Sequence, residues 1–199
     1  GVPAVSIFSS PLDPDTLTTE DGFGFAGAPE SRTGHDVTIA GDINGDGFDD
    51  LLVGTLGNDR AYLVYGTDQE VPPLRSPADL AGGAGTVLQG GAAGLAGYSV
   101  AAAGDVNGDG IDDLIVGAPY SGRLFTQAPG AAFVVFGDAS GFGPVLDMTA
   151  LTPEQGFLVN TSDTSAFLGA DVAGVGDING DGIDDIAVGA YQGALGSQR

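Results

Sequence analysis

One pattern, D-x-N-G-D-G-x-D-D, occurs three times in this chain, at Asp42–Asp50, Asp105–Asp113 and Asp177–Asp185. Each copy sits inside a longer ungapped match: Gly34–Gly54, Gly97–Gly117 and Gly169–Gly189. The first aspartates lie 63 and 72 residues apart. A period of this length restricts the fold to arrays of one repeated supersecondary unit. It is too long for a helix pair and suits four short strands.

The hydrophobic pattern within a unit has the strand period of two, with turn residues between the runs. In the middle copy the expected strands are Ser99–Gly104, Leu114–Val116, Ala131–Phe136 and Gly156–Val159. In the first copy Tyr62–Tyr65 and Thr86–Leu88 read as strands three and four. PLDPDTLTTEDGFGFAG near the start resembles PVLDMTALTPEQGFLVN, so Ala4–Phe8 and Gly22–Phe25 read as strands three and four of an earlier unit. No stretch reads as a helix. The chain thus divides into 1–33 (strands three and four), 34–96 and 97–168 (whole units), and 169–199 (strands one and two). Strand one of small residues, as in Val100-Ala101-Ala102-Ala103-Gly104, fits sheets converging on a crowded axis. That favours an all-β fold of propeller blades, four antiparallel strands each, with about three blade equivalents forming a partial propeller. A solenoid of stacked hairpins is the alternative.

The acidic loops read as calcium sites. Calcium takes six to eight oxygens at about 2.3–2.6 Å, and alternate positions of a tight loop can supply them. The expected ligands are the side chains of Asp42, Asn44, Asp46 and Asp50 with the carbonyl of Phe48. In the second copy they are Asp105, Asn107, Asp109 and Asp113 with Ile111, and in the third Asp177, Asn179, Asp181 and Asp185 with Ile183. Glycine at position six (Gly47, Gly110, Gly182) permits the turn. Asp49, Asp112 and Asp184 are expected to point away to solvent. Carboxylates held this close repel, and a divalent cation removes that cost. Magnesium fits less well, because it demands a smaller octahedral shell. The competing reading, that NGDG is only a favourable hairpin connector, loses to three identical copies. An EF-hand needs Glu at position twelve, where Val53, Val116 and Val188 stand. The same valines exclude a dockerin loop, and Gly82–Gly85 lacks the Asp of a calcium-binding nonapeptide.

Composition removes other functions. With 27 acidic residues against 5 basic ones, all Arg, the net charge is -22, which excludes a phosphate-backbone binder. Absence of cysteine excludes disulfides and thiolate sites. No apolar run is long enough for a membrane span. The lone His35 reads as structural, the tyrosines 62, 65, 98, 120 and 191 as packing or rim residues, and Asn160-Thr161-Ser162 fits a glycosylation sequon. No catalytic motif occurs, and the acids are committed to calcium, so the chain reads as a non-enzyme.

These residues resemble the FG-GAP repeats of integrin alpha-subunit-type β-propellers. The FG position keeps only its glycine, at Gly34, Gly97 and Gly169; GAP is intact once, at Gly117-Ala118-Pro119. The resemblance implies a propeller commonly of seven blades, with structural calcium in the hairpin between strands one and two, opposite the ligand-binding loops. Three units cannot close alone, and the chain begins at Gly1. The expectation is a piece of a longer polypeptide, with completion by another copy as the alternative. The expected function is extracellular or cell-surface adhesion and recognition of a protein or glycan, since low-affinity calcium sites suit millimolar calcium. Part of a polysaccharide-active enzyme or lectin, or a structural repeat of a surface filament or layer, are the alternatives.

Overall fold

A computed structural model describes residues 22–70, 72, 74–91, 94–120 and 129–192. The expected strand Ala4–Phe8 lies outside them. The first whole blade consists of β2 (Val37–Gly41), β3 (Asp50–Gly54), β4 (Arg60–Val64) and β6 (Gly85–Gln89), antiparallel in that order. The second consists of β7 (Ser99–Gly104), β8 (Asp113–Ala118), β9 (Ala131–Val135) and β11 (Gly156–Asn160). A third begins with the hairpin β12 (Leu168–Gly176) and β13 (Asp185–Ala190). The fold is all-β and made of propeller blades, as the alternation and the small inner strands require.

The core lies between blades. On β8, Leu114 and Val116 face the first blade, where they join Leu52, Leu63 and Leu88; Ile115 faces the third, with Val172, Ile186 and Val188. Every residue of β8 is buried, because both of its faces are covered. Full burial of one such side chain stabilises by about 1.5–3 kcal/mol. Strands β2, β7 and β12 lie side by side at the inner edge, where bulk is excluded. A Cβ on Gly117 would stand 2.1 Å from the carbonyl oxygen of Gly169, and one on Gly54 would stand 2.3 Å from that of Gly97. The same glycine position therefore seats each blade against the next.

Two short segments depart from the strand-only expectation. Between strands three and four of the first blade, β5 (Leu74–Arg75) is followed by one helical turn, α1 (Pro77–Asp79), with a capping box between Ser76 and Asp79. In the second blade, β10 (Val145–Asp147) leads into a 3-10 turn, Met148–Ala150, which Asp147 caps. The first segment continues through a π-type turn over Leu80–Ala84, and both escaped the hydrophobic periodicity because they are short and set by their caps. Both straps reach back to the preceding blade and pair in parallel with its outer strand: β10 with β6, and β5 with β1 (Gly24–Phe25).

Candidate metal centre

The three acidic hairpins connect strands one and two of successive blades, and their local geometry is shared. Position one caps the loop: Asp42 accepts from the N–H groups of Asp46 and Gly47, both at 2.9 Å. Asp105 accepts from Gly108, Asp109 and Gly110, and Asp177 from Gly180, Asp181 and Gly182. The Gly182 N–H is the main reason the Asp177 carboxyl is held below the usual carboxylate range. Position three accepts from position five: Asn44 Oδ1 from Asp46, Asn107 from Asp109, Asn179 from Asp181. Position five accepts the N–H of position seven, so Phe48, Ile111 and Ile183 bond to Asp46, Asp109 and Asp181. Glycine at position six has a φ of +87° to +92° in all three copies, the conformation that lets the chain double back.

Position nine behaves differently. Asp50 and Asp113 are only 1% and 0% exposed. Asp50 Oδ2 accepts from Ile43 N–H at 3.1 Å and Oδ1 from Gly66 N–H at 2.8 Å; Asp113 accepts from Val106 at 2.9 Å and Gly137 at 2.8 Å. Each therefore pins its hairpin to the end of strand three. Asp185 repeats the first contact, to Ile178 N–H at 3.0 Å. Burial pushes the carboxyls of Asp50 and Asp113 up to about 6, against these hydrogen bonds; the charges of Asp46 and Asp42, and of Asp109 and Asp105, push the same way.

Among the described residues, no three acidic or histidine side chains form a group that could hold a metal as they stand. The expected ligands thus share one loop, with positions one, three and five tied to backbone N–H groups and position nine buried beneath in the first two copies and half-buried in the third. The donor set still suits calcium: it offers only oxygen, and the desolvated Asp50 and Asp113 each feel two further carboxylates, a repulsion that a divalent cation would relieve.

The expectation for position eight is corrected in two copies. Asp112 Oδ2 accepts from Asp42 N–H at 2.9 Å, and Asp184 Oδ2 from Asp105 N–H at 3.0 Å. Each therefore reaches the acidic loop of the preceding blade, where Gly41 and Gly104 leave room; a Cβ there would meet the carboxylate at 2.3 and 2.0 Å. Only Asp49 is exposed as expected. A second bridge joins strand starts: Asp36 accepts from Val100 N–H at 2.8 Å, and its counterpart Ser99 from Val172 N–H at 3.3 Å. The Asp-Asp doublet was the available signal for the first bridge. Recurrence of Asp36, Ser99 and Asp171 two residues after the repeated Gly34, Gly97 and Gly169 was the signal for the second.

At the opposite end of the blades, aromatic rings form a row: His35–Tyr98 at 5.3 Å, Tyr98–Tyr120 at 6.2 Å, Tyr120–Phe167 at 5.5 Å and Phe167–Tyr191 stacked at 5.0 Å. A hydrogen bond with Tyr120 is the main reason the Tyr191 phenol is pushed up to about 12. Tyr191 is 59% exposed, whereas Tyr62 is buried against Phe25. Beside the row, a cavity of about 620 Å³ is lined by Glu30, Arg32, Leu56, Leu95, Tyr98 and Tyr120, among others.

Comparison with known proteins gives the context. The family model described as "FG-GAP repeat" matches residues 33–69, 96–135 and 169–198. Phosphatidylinositol-glycan-specific phospholipase D of Bos taurus is 34% identical over 171 residues, which cover 81% of this chain and 19% of that protein. Integrin alpha pat-2 of Caenorhabditis elegans is 33% identical over 174 residues, covering 80% and 13%. Integrin alpha-3 of Cricetulus griseus is 38% identical over 110 residues, covering 55% and 10%. The chain therefore spans less than a fifth of the length of these relatives.

Proposed function

The chain belongs to the FG-GAP repeat family, and from that premise we propose that it is a calcium-stabilised extracellular propeller segment that recognises a protein or glycan with the loops opposite the acidic hairpins. The observation that carries the recognition reading is the aromatic row from His35 to Tyr191 with the adjoining cavity of about 620 Å³. Half-buried Tyr98 and Tyr120 beside a concave site that offers Glu30 and Arg32, with exposed His35 and Tyr191 at the two ends of the row, supply flat apolar area and orienting polar groups together. Calcium serves structure in this reading. Each hairpin takes one ion through positions one, three, five and nine and the carbonyl of position seven, three ions in all. Residues 34–96 and 97–168 act as whole blades, and 1–33 and 169–199 as half blades completed by further chain or by another copy.

The test pairs binding with stability. Tyr98→Ala and Arg32→Ala should abolish binding to whichever immobilised glycan or integrin-ligand protein the parent chain retains, and the exposed Arg32→Ala should leave the melting temperature within about 2 °C. Unchanged binding in both variants would reject the recognition site.

A second reading is favoured by the match to phosphatidylinositol-glycan-specific phospholipase D: the segment is the propeller portion of a hydrolytic enzyme. Its chemistry would then reside in other residues of that enzyme. Release of a glycosylphosphatidylinositol-anchored reporter by the parent protein, retained in Tyr98→Ala, would support this reading over the first.

A further inference from the structure

The outer edge of the second blade is built like two other edges in this molecule that are already occupied. Strand β6 of the first blade carries β10 along its outer side, with Val145 paired to Val87 and Leu146 to Leu88. One blade earlier, β1 carries β5 with Leu74 paired to Gly24 and Phe25 to Arg75. The two straps share one register. Gly22, Gly85 and Gly156 stand at the same place before or at the start of the outer strand, each with a φ between +125° and +157°. Counting from that glycine, the first strap residue meets the third position and the next meets the fourth. The straps also share a sequence form. A residue that sinks into the molecule, Arg75 or Leu146, precedes a capping Ser76 or Asp147, and a leucine follows four residues after the cap, at Leu80 and Leu151.

Strand β11 is the third edge of this kind, and among the described residues nothing pairs with its outer side. Its apolar residues are less covered at the same register positions: Phe157 is 44% exposed against 0% for Thr86, and Leu158 is 47% exposed where Val87 of the occupied β6 is half-buried. An open edge that ends in apolar side chains presents unpaired backbone groups to any chain of suitable shape.

We propose that the outer edge of β11 is a parallel-strand acceptor whose occupant is the strap of another FG-GAP unit. The first two strap residues pair with Leu158 and Val159, and the capping Ser or Asp lies against Asn160. The repeated register carries this choice of partner, because it fixes orientation as well as position. A generic edge-to-edge association would set neither. Backbone pairing then supplies affinity, and the inward second residue of the strap supplies selectivity. The inference rests on blade geometry and is independent of what the aromatic end of the molecule binds.

The experiment uses the whole chain and a synthetic strap peptide with the sequence of residues 143–151, followed by amide hydrogen exchange. Binding should slow exchange at Leu158–Asn160 by about tenfold or more, while the Leu146→Asp peptide and a scrambled peptide leave it unchanged. In a second form, the same peptide is tethered to the chain by a flexible linker, which holds it at an effective concentration near millimolar. Protection in either form that requires Leu146 supports the acceptor. Absence of protection in both forms, or equal protection by the scrambled peptide, overturns it.

Discussion

The carboxylate of Asp112 accepts a hydrogen bond from the backbone N–H of Asp42 at 2.9 Å, across 70 residues of sequence and from one blade to the next. Asp184 repeats the contact with Asp105 and also donates its own N–H to the Asp105 carbonyl. Successive acidic hairpins are therefore linked directly, and the first residues of the first two proposed ion sites, Asp42 and Asp105, are placed partly by the following blade.

Asp112→Ala should destabilise the protein by about 1–2 kcal/mol, since a charge-assisted bond is lost at a half-buried contact. Asp49→Ala, at the equivalent exposed position, should stay within about 0.5 kcal/mol of the parent. Urea unfolding of the two variants checks the contrast; equal effects would contradict a bridging role for Asp112.

Asp113→Ala leaves the N–H groups of Val106 and Gly137 without their acceptor in a buried site. A loss of about 3 kcal/mol is expected, from an unsatisfied-donor cost of about 1–3 kcal/mol each. This part of the loss should persist in chelator, because the Val106 and Gly137 N–H groups lose their acceptor whether or not an ion is bound. Thermal unfolding of the variant with and without EDTA measures it.

Gly117→Ala and Gly110→Ala separate two uses of glycine. A methyl on Gly117 meets the Gly169 carbonyl, backbone against backbone, and should cost several times what it costs at Gly110, where φ is +89° and the space is open. For the second, about 1 kcal/mol is expected. Comparison of their urea midpoints decides; parity would mean that blades are not in close contact at Gly117.

The strap of the second blade should be sensitive at Leu146 and tolerant at Val145. Leu146 lies in the interblade core and Val145 is exposed, so Leu146→Ala should cost about 2–5 kcal/mol and Val145→Ala much less. Asp147→Ala removes the cap on Thr149 and should lower stability, by less than Leu146→Ala does. The Thr149 hydroxyl and N–H hold the Asp147 carboxyl below its usual range. The cap is therefore complete above the ordinary carboxylate pKa and fades as pH falls through the depressed one. Denaturant titrations of the three variants test the ranking.

The repeats made the blades legible. Three gapless copies, the short apolar run Leu114–Val116, and small residues at Val100–Gly104 are local signals, and they led to strands within a residue or two of those observed. The straps were not legible, because Leu74–Arg75 and Val145–Asp147 are two or three residues long and their partners lie in another blade. Position eight misled for a related reason. In a lone hairpin Asp112 faces outward, and only the adjoining blade brings Asp42 N–H within reach. The tyrosines divided: Tyr62 is core, while Tyr98, Tyr120 and Tyr191 share a row that no spacing in the sequence announces.

Calorimetric titration of the chelated chain with calcium tests the proposed clamp most directly, with thermal unfolding followed in parallel. Binding of three ions, and a melting temperature that rises with free calcium as each filled site adds about 2.7 kcal/mol at a hundredfold excess over its Kd, is the expected result. Asp109→Ala should reduce the count to two. Heats of dilution alone, with an unfolding curve that does not shift between EDTA and millimolar calcium, would contradict it.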